Sequence, residues 1–163
     1  MGRTYLGLGS NLGDRISYLQ KALQALAKEM ELLKVSTVFE SAPIDCPPGS
    51  EKFLNLACSF QTEKSPEEIL TLALETEASL GRTRNKNIRN APRVIDIDLL
   101  YIENVSCQSE RLTLPHPRLK ERLFALAPLR EIAPELPLYE NFSSLSENQK
   151  CLIFAPWFAV FKA

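Results

Sequence analysis

Apolar residues recur along this chain in two rhythms, and the switches between them mark out its elements. Thr4 to Leu8 is a short apolar strand running into Gly7-Leu8-Gly9-Ser10-Asn11-Leu12-Gly13, a turn rich in residues that tolerate positive φ. Asp14 is placed to cap a helix, in which Ile16, Leu19, Leu23, Leu26 and Met30 recur at steps of three and four. Leu33 to Glu40 alternates apolar and polar residues, which predicts a second strand. The loop from Ser41 to Ser50 carries three prolines, stiff enough to form a wall. Phe53 to Phe60 predicts a third strand, with Leu54, Leu56, Cys58 and Phe60 on its core face and Phe53 and Asn55 together on the other. Ser65-Pro66-Glu67-Glu68 opens a second helix with a capping box. Ile69, Leu72, Ala73, Thr76 and Leu80 form its buried side, and Gly81 ends it. The β-branched and aliphatic run Val94 to Tyr101 predicts a fourth strand.

This order, β-α-β-β-α-β, predicts an α+β, ferredoxin-like fold in which two helices cover one face of an antiparallel sheet. Parity along the last strand turns Ile95, Ile97, Leu99 and Tyr101 toward the core and sends Asp96 and Asp98 the opposite way. Phe53 and Asn55 also lie opposite their strand's apolar face, so the four are expected on a shared open face. Beyond, Arg111 to Pro117 is extended because prolines disfavour helix before them, and Arg118 to Leu126 is a short helix carrying Arg122 and Phe124. The tail from Tyr139, with Trp157, Phe158 and Phe161, is expected only to pack.

Composition narrows the class. At 163 residues the chain is long enough for one domain with a proper core, and a net charge of −1 opposes general affinity for nucleic acid or anionic membranes. The most hydrophobic run, Leu152 to Phe161, is too short to span a bilayer. Cys46, Cys58, Cys107 and Cys151 form no C-x-x-C pair and His116 is the sole histidine, which argues against a zinc cluster. With no signal-peptide pattern, free thiols in a reducing cytoplasm are expected.

The chemistry concentrates at Asp96 and Asp98. Two residues apart on a strand, they sit roughly 6–7 Å apart on one face, and burying them without a cation would be costly. Two cations suit: an arginine such as Arg93, as a structural ion pair, or Mg²⁺, which binds through one or two carboxylates plus phosphate oxygens. Arg82, Arg84, Lys86, Arg89 and Arg93 lie between Gly81 and the strand with no acidic residue among them, the pairing of phosphate-binding cations and metal-binding carboxylates that polyphosphate chemistry needs. Phe53 beside Asn55 suits a planar heterocycle, through stacking and two-way hydrogen bonding, or is an edge-of-core ring beside a turn-proximal amide. Glu77, one turn before the basic loop, either positions arginines or metal-bound water or is a solvated helix residue. His116, held between prolines, is a structural residue or a ligand contact.

Together these residues resemble the 6-hydroxymethyl-7,8-dihydropterin pyrophosphokinases of folate biosynthesis. The most specific match is Arg89-Asn90-Ala91-Pro92-Arg93-Val94-Ile95-Asp96-Ile97-Asp98-Leu99-Leu100. Gly9-Ser10-Asn11, Phe53-Leu54-Asn55, Gly81-Arg82-Thr83-Arg84, and Leu114-Pro115-His116 followed by Arg122 and Phe124 fall in the family's order, over about residues 4 to 135. The resemblance implies transfer of pyrophosphate from ATP to the pterin's hydroxymethyl oxygen, with AMP released and two Mg²⁺ ions used. It implies that Asp96 and Asp98 bind metal and that Arg82 and Arg93 meet the ATP phosphates, with Arg84 assisting. Phe53 and Phe124 would sandwich the pterin, with Asn55 and the backbone of Ser41, Ala42, Pro43 and Ile44 reading its edge. Leu99, Arg111, Thr113, His116 and Arg122 would line the nucleotide site, and Glu77 matches the family's acidic residue ahead of the loop. Ser41-Ala42-Pro43 stands where Thr-x-Pro is frequent, and Asn90 where some members have Trp. The tail after about residue 140 matches nothing in the pattern. Small molecules are the expected partners, with no nucleic acid or membrane, and the chain is expected to act as a monomer.

The competing expectation is a ferredoxin-like module that binds a small molecule or RNA without catalysis. An RNA-recognition sheet carries a basic-Gly-aromatic-Gly/Ala-aromatic run on a central strand, and none occurs here.

Overall fold

The computed structural model describes residues 2–84 and 86–156. Strand β1 (Gly2–Ser10) leads through Asp14, whose carboxylate accepts the Ser17 N–H, into helix α1 (Arg15–Glu29). Strands β2 (Glu31–Val35) and β3 (Val38–Ser41) precede β4 (Phe53–Thr62). Helix α2 (Pro66–Ser79) has the capping box of Ser65 and Glu68, and Gly81 follows it with φ +93°. Strand β5 (Asp96–Ile102) is followed by the short β6 (Cys107–Gln108) and β7 (Thr113–Leu114), then a 3₁₀ turn at Leu119–Glu121. Helices α3 (Leu123–Ile132) and α4 (Phe142–Asn148) and strand β8 (Cys151–Ala155) complete the chain.

The sheet runs β5-β1-β4-β3-β8, with β2 also on β4, all antiparallel. The ferredoxin-like arrangement expected from the sequence is present. Leu6, Leu8, Leu54, Leu56, Cys58, Phe60, Ile95, Ile97 and Leu99 pack on one face against Leu19, Leu23 and Leu26 of α1 and Ile69 and Ala73 of α2. That interior follows directly from the two periodicities.

Five expectations need correction. The second strand is split into β2 and β3 at Ser36-Thr37, where Ser36 Oγ accepts the Ala57 N–H at 2.9 Å in place of a ladder partner. Gly7 and Gly9 belong to β1 rather than to a turn, and Gly13 is the glycine with positive φ there. The face opposite α1 and α2 is only partly open, since Tyr5, Ala57 and Leu100 pack against Leu126, Leu129 and Ile132 of α3. A bulge lets β5 pass Leu99 to Tyr101 opposite the consecutive Leu6 and Tyr5, so Leu100 and Tyr101 both pack in that second cluster. Tyr101 therefore does not share the interior of Ile95, Ile97 and Leu99. The helix expected at 118–126 is a 3₁₀ turn followed by α3, which runs to Ile132 because Leu126, Leu129 and Ile132 continue an apolar stripe.

The tail does more than pack. β8 pairs with β3 and extends the sheet. Trp157, Phe158 and Phe161 lie outside the described residues.

Candidate active site

Register across three strands builds the site floor. Gly9 of β1 lies between Asn55 of β4 and Asp96 of β5, and Gly7 lies between Ala57 and Asp98. Both glycines face the side away from α1 and α2, so the middle strand presents bare backbone between an amide on one flank and two carboxylates on the other. A Cβ on Gly9 would come within 3.1 Å of Asn55 Oδ1 and 3.5 Å of the Phe53 ring, so glycine is required here for clearance and not for its torsions. The cavity above this floor encloses about 220 Å³.

Phe53 and Phe124 both border it. The Arg93 guanidinium lies 5.2 Å from the Phe53 ring centroid and that of Arg122 lies 5.6 Å from the Phe124 centroid, so an arginine accompanies each ring. Asn55 is buried and donates to Ser41 Oγ at 2.8 Å, which fixes the amide and leaves its Oδ1 as an acceptor beside Gly9. Ser41, Ala42 and Ile44 complete this wall, while Pro43 does not border the cavity. Asn90, at φ +52°, donates to the Asp45 carbonyl at 3.0 Å and joins the basic loop to the proline-rich one.

The carboxylates differ in their partners. Asp96 Oδ1 lies 2.7 Å from Arg82 Nη1, and its Oδ2 lies 3.2 Å from Arg93 Nη2. Asp98 has Arg122 at 3.9 Å. Burial and the Asp96 charge push the Asp98 carboxyl well above the ordinary range, to about 7, against the pull of Arg122 and Arg93. Asp96 thus realises the arginine pairing, and Asp98 remains short of positive charge. This donor set fits Mg²⁺: two carboxylates on one open face, with room for phosphate and water oxygens.

A model of the 7,8-dihydro-6-hydroxymethylpterin-pyrophosphokinase family matches residues 5–134. The chain belongs to that family. It is 44% identical over 140 residues to the 2-amino-4-hydroxy-6-hydroxymethyldihydropteridine pyrophosphokinase of Methylorubrum extorquens, covering 83% of this chain and 85% of that protein. The enzyme of the same name from Bacillus subtilis is 40% identical, with 81% of this chain and 78% of that one aligned. Among solved structures, an HPPK-DHPS protein in complex with substrates superposes over 91% of this chain with a TM-score of 0.69 at 14% identity. Plasmodium falciparum HPPK-DHPS superposes over 90% with a TM-score of 0.66 at 14% identity. These two likenesses concern the fold, and this chain spans under half the length of either, 45% and 46%.

Within this pyrophosphokinase-family chain, Glu77 is not a solvated helix residue. Its side chain is 3% exposed, with Oε1 2.6 Å from Arg82 Nη1 and Oε2 3.0 Å from Arg84 Nη2. Oε1 also accepts the Ile97 N–H at 2.8 Å. Glu77 therefore ties α2 to β5 and aims Arg82 at Asp96, behind the cavity rather than on its surface. Arg82 and Arg84 adjoin the site through these carboxylates. The Leu99 side chain does not: it is buried in the interior beneath α1 and α2, on the face of the sheet away from the cavity. Arg111 pairs with Glu67 at 3.4 Å, and Thr113 lies opposite Gln108 in the β6–β7 hairpin, so neither borders the cavity. His116 is partly buried, its Nδ1 accepting the Arg118 N–H at 3.2 Å, and burial with the Arg122 charge lowers its pKa. The ring is then neutral with its proton on Nε2.

Asn11, matched in sequence only as part of Gly9-Ser10-Asn11 and without a role, and Gln149 also contribute. Asn11 is buried, accepts the Arg93 N–H on Oδ1 at 2.9 Å and donates its own N–H to the Arg93 carbonyl at 3.2 Å, which fixes the backbone of the arginine beside Asp96. Its place in the Gly9-Ser10-Asn11 match was the available signal. Gln149, from the unmatched tail, borders the cavity and had no signal at all.

Proposed function

We infer that this cavity is where the chain, a pyrophosphokinase of folate biosynthesis, moves the β,γ-diphosphate of ATP onto the hydroxymethyl oxygen of 6-hydroxymethyl-7,8-dihydropterin and releases AMP. The observation that carries the reading is the row Asn55-Gly9-Asp96: a hydrogen-bonding amide, a bare floor and a carboxylate in register on three adjacent strands. Phe53 and Phe124 hold the pterin ring by its faces, and Asn55 reads its edge. Their stacking is worth about 1–3 kcal/mol per ring, by analogy with bases on aromatic side chains.

Asp96 and Asp98 would hold Mg²⁺, which supplies countercharge to the phosphate oxygens when bound. Arg82 and Arg93, paired with Asp96 in the free protein, then turn their guanidinium groups to the phosphates, with Arg84 assisting. The chain binds both substrates, aligns the hydroxymethyl oxygen with the β-phosphorus, and excludes water from the line of attack. The oxygen–β-phosphorus bond forms as the bond from β-phosphorus to the α,β-bridging oxygen breaks; AMP carries that oxygen away, and the hydroxymethyl proton is released to solvent. Positioning and electrostatics account for the rate. Incubation with ATP, Mg²⁺ and the pterin should yield AMP in step with pterin diphosphate; stoichiometric ADP would defeat the reading.

A further inference from the structure

We propose that Gln149, in the tail beyond the family match, is a positioning residue that fixes the α3 wall of the pterin slot. Its side-chain amide spans the backbone on both sides of Arg122. Oε1 accepts the Leu123 N–H at 3.0 Å, and Nε2 donates to the Glu121 carbonyl at 2.8 Å. The orientation of the amide follows from chemistry, since a backbone N–H can meet only its oxygen and a carbonyl only its nitrogen. Leu123 is the first residue of α3, and Arg122, its N-cap, makes no side-chain capping bond. Gln149 therefore supplies from a distant segment an acceptor for the first of the N–H groups that a helix start leaves without an intrahelical partner.

The residues it holds face the reaction. Arg122 approaches Asp98 and lies against the Phe124 ring, and both Arg122 and Phe124 border the cavity. Gln149 is itself held at both ends. Its N–H donates to the Leu145 carbonyl at 2.8 Å, closing α4, and two residues later Cys151 lies opposite Ser41 in the β3–β8 ladder. Ser41 accepts from Asn55 on the facing wall. The tail thus connects the wall bearing Asn55 and Phe53 to the wall bearing Phe124, and Gln149 is where it grips the second. Its length sets how far apart the two walls stand.

The inference rests on the functional reading above, and its test separates the two. Gln149→Ala should weaken pterin binding about tenfold in a fluorescence titration, the scale of two lost backbone hydrogen bonds, and accelerate Leu123 amide exchange. Gln149→Met keeps the side-chain length and makes neither backbone hydrogen bond, so it should match Ala. It also serves if the Ala variant does not fold. Asn148→Ala, whose amide bonds only the neighbouring Ser144 carbonyl, should leave both readouts unchanged. A merely structural role would lower the melting temperature and leave the pterin affinity of folded protein alone. Pterin affinity within twofold of wild type in folded Gln149→Ala, or unchanged Leu123 exchange, overturns the proposal. A wild-type protein that binds no pterin refutes the functional reading instead, and Leu123 exchange then decides alone whether Gln149 fixes this wall.

Discussion

Replacing Glu77 separates two things a buried carboxylate does, holding backbone and holding charge. Its pKa is raised from the ordinary 4.5, because burial outweighs the Ile97 N–H and the arginines Arg82 and Arg84. Folding therefore favours the neutral form. The associated stability is fully present below pH 4.5 and is lost as pH rises through the raised folded-state value. Glu77→Gln imitates that neutral form. Its Oε1 still accepts from Ile97 and Arg82, and its amide displaces only Arg84, which is 61% exposed and free to turn to solvent. The Gln variant should melt within about 2 °C of wild type at pH 7 and lose its difference below pH 4.5. Glu77→Ala leaves the buried Ile97 N–H without its acceptor and removes one of the two carboxylates on Arg82. An orphaned buried donor costs about 1–3 kcal/mol and the broken pair adds to it, so about 3 kcal/mol is expected. For a chain of this size that is roughly 6–12 °C in melting temperature. Thermal melts of the two variants from pH 4 to 8 check this. An Ala variant as stable as wild type, or a Gln variant as damaged as Ala, would refute the assignment.

Four further outcomes are expected. Asp96→Ala and Asp98→Ala should each abolish turnover in a chain that still folds, with Asp96→Ala also lowering the melting temperature because it leaves Arg82 and Arg93 without their shared carboxylate; near-normal activity in either at ordinary Mg²⁺ concentration removes the metal assignment. Gly9→Ala carries no torsional strain but drives a methyl group to 3.1 Å from Asn55 Oδ1, so pterin affinity should fall about tenfold while ATP affinity holds, read by titrating each ligand. Arg82→Ala should lower kcat by roughly 10³-fold, far more than it weakens ATP binding; Lys86 to Arg89 are exposed, and their amides should exchange slower once a nucleotide analogue binds, whereas strong protection in the free protein would argue against a closing lid.

The fold was legible because its elements are locally consistent. The α1 stripe, the Ser65 capping box and the parity of Ile95, Ile97 and Leu99 all carry their information within a few residues. Parity also placed Asp96, Asp98, Phe53 and Asn55 on one face. What stayed hidden depends on contacts between distant segments. Leu99 looked like a ligand contact from its motif position, while its own parity put it in the interior. For Glu77 the sequence left arginine positioning and solvation both open; its pairs with Arg82 and Arg84 agree with the first, while nothing in α2 announces the Ile97 N–H twenty residues on, and Ser36 gave no local hint that its hydroxyl would interrupt a strand. α3 covering the second face was illegible for the same reason: Tyr5, Ala57 and Leu100 come from three strands, and no single strand pattern shows that they share a helix.

The arrangement of the site follows from sheet register more than from its loops. Adjacent strands stand about 4.8 Å apart, so Asn55 and Asp96, two ladder steps across Gly9, are separated by about 10 Å of bare backbone. That is the span of a bicyclic ring bearing a one-carbon arm. In the function proposed above, a ring whose edge meets Asn55 would reach across Gly9 until its hydroxymethyl arm met the carboxylate side. A slip of one residue in β1 would replace Gly9 with Leu8 or Ser10 and send every side chain of the strand to the opposite face. Leu6 and Leu8, buried under α1 and α2, forbid that slip. The same interior that stabilises the sheet therefore holds the glycine row in place. The loops are left to deliver arginines, and Asn11 and Glu77 anchor that delivery, one at the Arg93 backbone and one at the Arg82 side chain. In the proposed reading the ladder would thus set the substrate distance, and the arginines held by Asn11 and Glu77 would supply the charge.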